Sequence, residues 1–122
     1  MSFYITVGDV DHWFDYGHLS EKAGRASTFE ELERVGDEAL SAFAAYKEEV
    51  VSAASRALAA EVDAIRAALV LPLIVCAGDA HDANALIEAA VAPAWDRYER
   101  ILLRLEVERQ RMNLLIFLAG GA

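Results

Sequence analysis

Residues 28–71 read TFEELERVGDEALSAFAAYKEEVVSAASRALAAEVDAIRAALVL, and this stretch decides the fold. Apolar or small residues recur at Phe29, Leu32, Gly36, Ala39, Phe43, Tyr46 and Val50, then at Ala54, Leu58, Val62, Ile65 and Leu69. The series continues through Pro72 to Cys76. Its steps alternate three and four up to Tyr46, run in fours to Val62, then alternate again. Such steps keep all these residues on one face of an α-helix. A heptad seam with a drift in its middle belongs to a helix packed lengthwise against other helices. At roughly 1.5 Å per residue the stretch is about 65 Å long, too long for a compact small domain to cover. The seam needs a partner.

The flanks suggest where that partner comes from. Thr28-x-x-Glu31 matches a capping box, and Glu30 and Glu31 suit the positive end of the helix dipole. Gly36-Asp37 is the weak point, where a kink or break is expected. Pro72 predicts that the helix ends or bends there, because proline removes a hydrogen bond and crowds the preceding turn. Gly78 supplies a stop, and Asp79 or Asp82 a cap for a second helix. The second seam runs Ala83, Ile87, Ala90, Ala94, Tyr98, Ile101, Leu105, Glu108, Met112, Leu115 and Ala119, with a kink expected at Ala89 to Ala92 before Pro93. Gly120 and Gly121 close it.

A turn at about residues 77–82 folds helix two (about 82–119) back antiparallel on helix one (about 28–72). With equal rise, residue numbers adding to roughly 158 should face each other. Val91 and Trp95 then meet Val62, Ile65 and Leu69, while Leu115 and Phe117 meet Leu40 and Phe43. Arg109 and Arg111 come opposite Glu48 and Glu49. Residues 28–38 overhang the end of helix two. Glu108 stands on an otherwise apolar seam; a slight rotation that exposes it is the expected solution, and pairing with Arg104 or Arg111 the alternative.

The fold class is therefore all-α: a long antiparallel helical hairpin, 28–122, behind an N-terminal arm, 1–27. With 122 residues the chain is one domain by size. Only two prolines occur and no Asn-Gly or Asp-Gly pair, so little sheet is expected. Val51, Leu86, Leu102, Leu103, Leu114, Ile116 and Leu118 widen the apolar stripes beyond what two helices can bury. Two hairpins pairing into a bundle would cover them.

The arm has a different texture. Residues 2–7 (SFYITV) are β-branched and aromatic, which suits a short extended segment. Phe3, Tyr4, Trp13, Phe14 and Tyr16 are five of the eleven aromatic residues in the chain. Two roles are open for them: folding back over the open end of the hairpin, or docking on another subunit or protein. On the second reading these five, with Leu114 and Phe117, form the partner-binding set.

Charge narrows the function classes. The net charge is −9, and residues 1–63 hold 13 acids against 5 bases. Direct nucleic-acid binding needs clustered Lys and Arg, so it is not expected; basic proteins are the more natural partners. No Sec-type leader is read, and the uncharged runs 67–78 and 112–122 are too short to span a membrane. A cytoplasmic protein is expected. Cys76 reads as a small buried hydrophobe rather than a reactive thiol.

One cluster carries possible chemistry. Asp11, His12, Asp15 and His18 combine carboxylates and imidazoles that could hold Zn²⁺ or another divalent metal. Asp79, His81 and Asp82 form a smaller group at the turn. No Glu-x-x-His pair, Gly-rich phosphate loop or nucleophile elbow occurs. The reading is a non-catalytic structural or adaptor subunit with no cofactor, forming a dimer or higher oligomer and binding another protein. The alternatives are a small metal-binding protein or enzyme built on Asp11, His12, Asp15 and His18, and a small acidic chaperone or inhibitor of a basic partner.

Overall fold

The structure, a computed structural model, describes residues 1–76 and 80–121. Two strands, β1 (Ser2–Val7) and β2 (Val10–Asp15), precede a short helix α1 (Gly17–Arg25). Two long helices follow, α2 (Phe29–Cys76) and α3 (Ala80–Gly121), and they pack against each other as a helical hairpin. The expected stop at Gly78, the cap at Asp79 and the Cys76 side chain lie outside the described residues.

Both seams are where the periodicity puts them. On α2, Leu32, Ala39, Phe43, Tyr46, Val50, Ala54 and Val62 are buried. On α3, the seam residues Ala94, Leu105 and Met112 are buried, and so are Val91 and Ile116 beside the seam. Phe29 is the exception at 68% exposed, because it stands in the first turn, where neither α1 nor α3 covers it. The capping signal is half realised: Thr28 Oγ1 accepts the N–H of Glu31 at 3.2 Å. The Glu31 carboxylate reaches one residue further back than a capping box requires and accepts the Ser27 N–H at 2.9 Å. Those Ser27 bonds hold the Glu31 carboxyl below its ordinary pKa.

No helix ends at an expected interruption. The α2 helix runs unbroken through Gly36 and Pro72, and α3 through Pro93. Pro72 is exposed, so the carbonyl that its missing N–H leaves unpaired can be solvated, and packing on the partner helix outweighs the local penalty. At Gly36 an added Cβ would meet nothing within 4 Å. Gly36→Ala is expected to stabilise the chain by about 0.5–1 kcal/mol, by restricting the unfolded backbone without a clash. Urea denaturation at unchanged m-value checks this.

The helix register matches equal rise near the closed end, where Arg97 and Glu61 form an ion pair. Toward the open end it slips, so that a Cβ on Gly120 would run into Leu32. Helix α3 therefore reaches almost to the start of α2, and the expected overhang of residues 28–38 shrinks to the first turn. The slip also undoes the expected cross-helix ion pairs. Arg109 pairs with Glu106 within α3, Arg111 lies 3.4 Å from Glu108, and Glu49 meets His12 instead.

The arm is not a loose segment. Strands β1 and β2 form an antiparallel hairpin with Val7 opposite Val10 and Ser2 opposite Asp15. Its two-residue turn is Gly8-Asp9, with φ +64° at Gly8 and a negative φ at Asp9, as in a type II′ turn. Glycine first and aspartate second is a hairpin signal in its own right, and the sheet it makes is small, as the expectation of little sheet has it. Phe3, Ile5 and Val7 alternate inward and Tyr4 and Thr6 outward, the period of a strand packed on one face.

That inward face seals the core. Phe3 and Phe14 surround Phe43 and Tyr46, with ring centroids 5.1–6.3 Å apart, and Tyr16 adjoins both strand phenylalanines. Leu19 and Ala23 of α1 are fully buried, and Lys22 pairs with Glu38 across to α2 at 3.1 Å. The molecule is thus a packed head at the open end of the hairpin, continued by a bare two-helix stalk.

Candidate interaction site

Burial sorts the aromatic set into two groups. Phe3 and Tyr16 are buried and Phe14 half-buried, all in the head core. Tyr4 and Trp13 face outward, opposite each other on the pairing ladder, with their rings 4.7 Å apart. Trp13 is 63% exposed.

Leu114 and Phe117 are more than half exposed and belong to a longer stripe. Leu103, Val107, Leu114 and Leu118 are all exposed and recur at steps of four, seven and four, with Phe117 beside them. At 100° per residue these positions fall within one narrow arc of α3. It lies apart from the inner seam of Leu105, Met112 and Ile116. Helix α3 therefore carries two apolar faces, only one of which the chain covers. Of the residues expected to widen the stripe, Ile116 is buried and Leu102 half-buried, while Leu103, Leu114 and Leu118 are open.

A hollow of about 270 Å³ adjoins the end of that stripe. Its apolar lining comes from Phe29, Leu32 and Leu40 of α2 and from Ile116 and Phe117 of α3, with Glu33 and Asp37 at its rim. Gly36 keeps its floor low. On the stalk, Val70, Leu86 and Trp95 are exposed as well.

The Asp/His group is divided by the sheet. His12 lies on the half-buried face of β2, with Nδ1 3.3 Å from Glu49 Oε1, while Asp11 and Asp15 face outward. Asp11 accepts the Thr6 hydroxyl at 2.7 Å and Asp15 accepts the Gly17 N–H at 2.9 Å. His18 is exposed on α1. Among the described residues no three His, Cys, Asp or Glu side chains converge as metal ligands. Asp79 of the second group lies outside the described residues.

The polar centre of the head is one that the sequence reading placed differently. Glu108 is 2% exposed rather than turned to solvent. Its Oε1 accepts Arg104 Nε at 3.0 Å, and Arg111 Nη1 lies 3.4 Å away. The i−4 and i+3 spacing of those arginines was the available signal. Nearby, the Tyr46 hydroxyl donates to the His12 carbonyl at 2.6 Å, tying α2 to β2. Burial pushes the Tyr46 pKa up to about 12, against the Ile5 N–H, which lowers it. Burial and then the Glu108 charge raise that of Tyr16.

These shifts set an alkaline limit. A phenol whose pKa is higher folded than unfolded stabilises the fold fully below the unfolded value, near 10, and loses that contribution as pH rises through the folded value. Stability is therefore expected to fall between pH 10 and about 12. Tyr46→Phe should flatten the fall while costing about 1 kcal/mol at neutral pH for the lost bond to His12. Urea denaturation across that pH range, with tyrosinate absorbance alongside, checks both.

No helix among the described residues is long and apolar enough to cross a membrane. The fold and these surfaces define a class: a helical hairpin with a β-hairpin head and an uncovered apolar face on its second helix. No protein-family model, curated protein or solved structure matches the chain.

Proposed function

We propose that this protein is a non-catalytic structural or adaptor subunit that associates with itself and presents helix faces and its aromatic head to other proteins. The observation that carries this reading is the outer stripe of α3, where Leu103, Val107, Leu114 and Leu118 stand exposed at helical spacing. A run of 16 residues spans about 22 Å, about four helical turns and enough for two heptads of packing against a second helix. Exposed apolar residues scattered singly need no explanation, but an aligned stripe that ends in an apolar hollow marks an interaction surface. A second copy laid against the first would bury two such stripes, and four helices would then share one core. Tyr4 and Trp13, a rigid exposed aromatic pair on the head, are the residue types that dominate binding energy at interfaces.

Sedimentation across a concentration series tests the reading. The wild-type chain is expected to form a dimer or larger assembly. Leu114→Glu combined with Phe117→Glu is expected to be monomeric with unchanged helix content, since both side chains lie outside the core. A wild-type monomer up to the solubility limit would overturn the self-association.

A further inference from the structure

The outer edge of β1 forms a second surface, on the head and separate from the α3 stripe. The Tyr16 N–H donates to the Met1 carbonyl at 2.9 Å, which extends the β1–β2 ladder and sets its parity. Odd-numbered residues of β1 turn their backbone groups toward β2, and even-numbered residues turn theirs to the free edge. The same parity appears on the other side, where Arg104 Nη2 of α3 donates to the Tyr4 carbonyl at 3.4 Å. Among the described residues no hydrogen bond reaches the Tyr4 N–H or either backbone group of Thr6. These groups border a groove of about 420 Å³ between β1 and α3, lined across by Arg100, Ile101 and Arg104. A hollow of about 340 Å³, sharing Thr6, Arg100 and Ile101 with it, continues beneath the Gly8 turn. Its floor is apolar, with Val7, Ala54 and Leu58.

The charge of this groove runs against that of the molecule. Arg97, Arg100 and Arg104 follow one another at helical spacing in a chain of net charge −9. Arg97 is paired with Glu61 and Arg104 with Glu108, whereas Arg100 forms no ion pair among the described residues. It is an open cation lining both the polar groove and the mainly apolar hollow, beside unpaired strand groups. A bare strand edge is ordinarily blunted, and among the described residues only the Tyr4 carbonyl is covered.

The geometry points to an extended segment of a partner protein that adds to β1 as a third strand and sets a carboxylate side chain on Arg100. Its backbone supplies carbonyls to the N–H groups of Tyr4 and Thr6 and an N–H to the Thr6 carbonyl. An apolar side chain two residues from the acid, on the same face of the strand, enters the hollow over Val7 and Leu58. This is strand addition, with main-chain bonds giving affinity and alternate side chains giving selectivity. The β1 edge of a second copy is not the occupant, because it would bring the Arg100 and Arg104 side chains of both chains together. A nucleic acid is not the occupant either, since its further phosphates would run over acidic surface. A short peptide brings its carboxylate only within reach of the arginines.

Selection from a random heptapeptide display library on the purified protein tests this. Enriched sequences are expected to carry Asp or Glu with a β-branched or aromatic residue two positions away. A synthetic copy of the enriched peptide should slow amide exchange at Tyr4 and Thr6. Arg100→Glu, at an exposed position, should weaken that peptide at least tenfold. Thr6→Pro should do the same by removing an edge donor, a substitution that edge strands accept. The Leu114 and Phe117 variant should bind like wild type, so loss of self-association leaves this site standing. Enrichment without acids, no enrichment, binding indifferent to Arg100→Glu, or binding with unchanged exchange at Tyr4 and Thr6 would each overturn the proposal.

Discussion

Phe43→Ala is expected to cost about 3–5 kcal/mol, a large share of the stability of a domain this size. The ring is 2% exposed and stands where all the parts of the head meet. It touches Phe3 of β1 at 6.3 Å, Phe14 of β2 at 5.7 Å and Tyr46 of its own helix at 5.9 Å between centroids. Truncation removes buried apolar area and leaves a cavity that the surrounding rings, fixed by the strand ladder, cannot fill. The loss should show in urea denaturation and as a weakened near-ultraviolet aromatic signal. Phe29→Ala is the control. It deletes the same side chain from a position 68% exposed, and the change should stay within about 0.5 kcal/mol.

Replacing both Arg104 and Arg111 by methionine is expected to cost about 3 kcal/mol, while Glu108→Met should cost under about 1 kcal/mol. The asymmetry follows from where the charges lie. The Glu108 side chain is 3% exposed, but those of Arg104 and Arg111 are 51% and 59% exposed. Without Glu108 the arginines remain hydrated, so little charge is stranded. Without the arginines the carboxylate stays buried with no counter-ion, and its desolvation is no longer offset. Thermal unfolding of the two variants side by side measures the difference. Equal losses would mean that Glu108 contributes through packing and not through charge.

The same residue illustrates what could be read from the chain in advance. Most positions of both seams were legible, because a period of 3.6 over many turns leaves little freedom in which face is buried; Phe29, exposed, and Val91 and Ile116, buried beside the seam, depart from it. Glu108 was on the list and was still assigned to solvent. The rule that charges stay outside is local, and whether two flanking arginines can reach a buried carboxylate depends on the third layer above them. That layer is the β-hairpin and α1. Its outline was legible in the alternation of residues 2–7 and in Gly8-Asp9, but a short strand carries few residues and therefore a weak signal. The proline and glycine positions misled in the opposite direction. A break at Gly36 and an end at Pro72 were read from intrinsic propensities of a few kcal/mol at most, which lengthwise packing exceeds.

The interaction surfaces divide in the same way. Leu103, Leu114 and Leu118 were marked by sequence as more apolar surface than two helices can hide, and they are open. The aromatic arm was marked as a whole, and only packing separated the core rings of Phe3, Phe14 and Tyr16 from the exposed pair Tyr4 and Trp13. The Asp/His group looked compact along the chain because it is compact in number. Strand alternation sends Asp11 and Asp15 to one face and His12 to the other, which no spacing rule for loops anticipates.

The sequence by itself determined the helical hairpin, the faces on which its helices meet and the excess of apolar surface, since each is a periodic property repeated over dozens of residues. Only the tertiary structure decided the burial of Glu108, the slipped register at the open end and the free edge of β1 beside Arg100. Each of these depends on a single contact between segments distant in the chain, and a contact made once leaves no period to read.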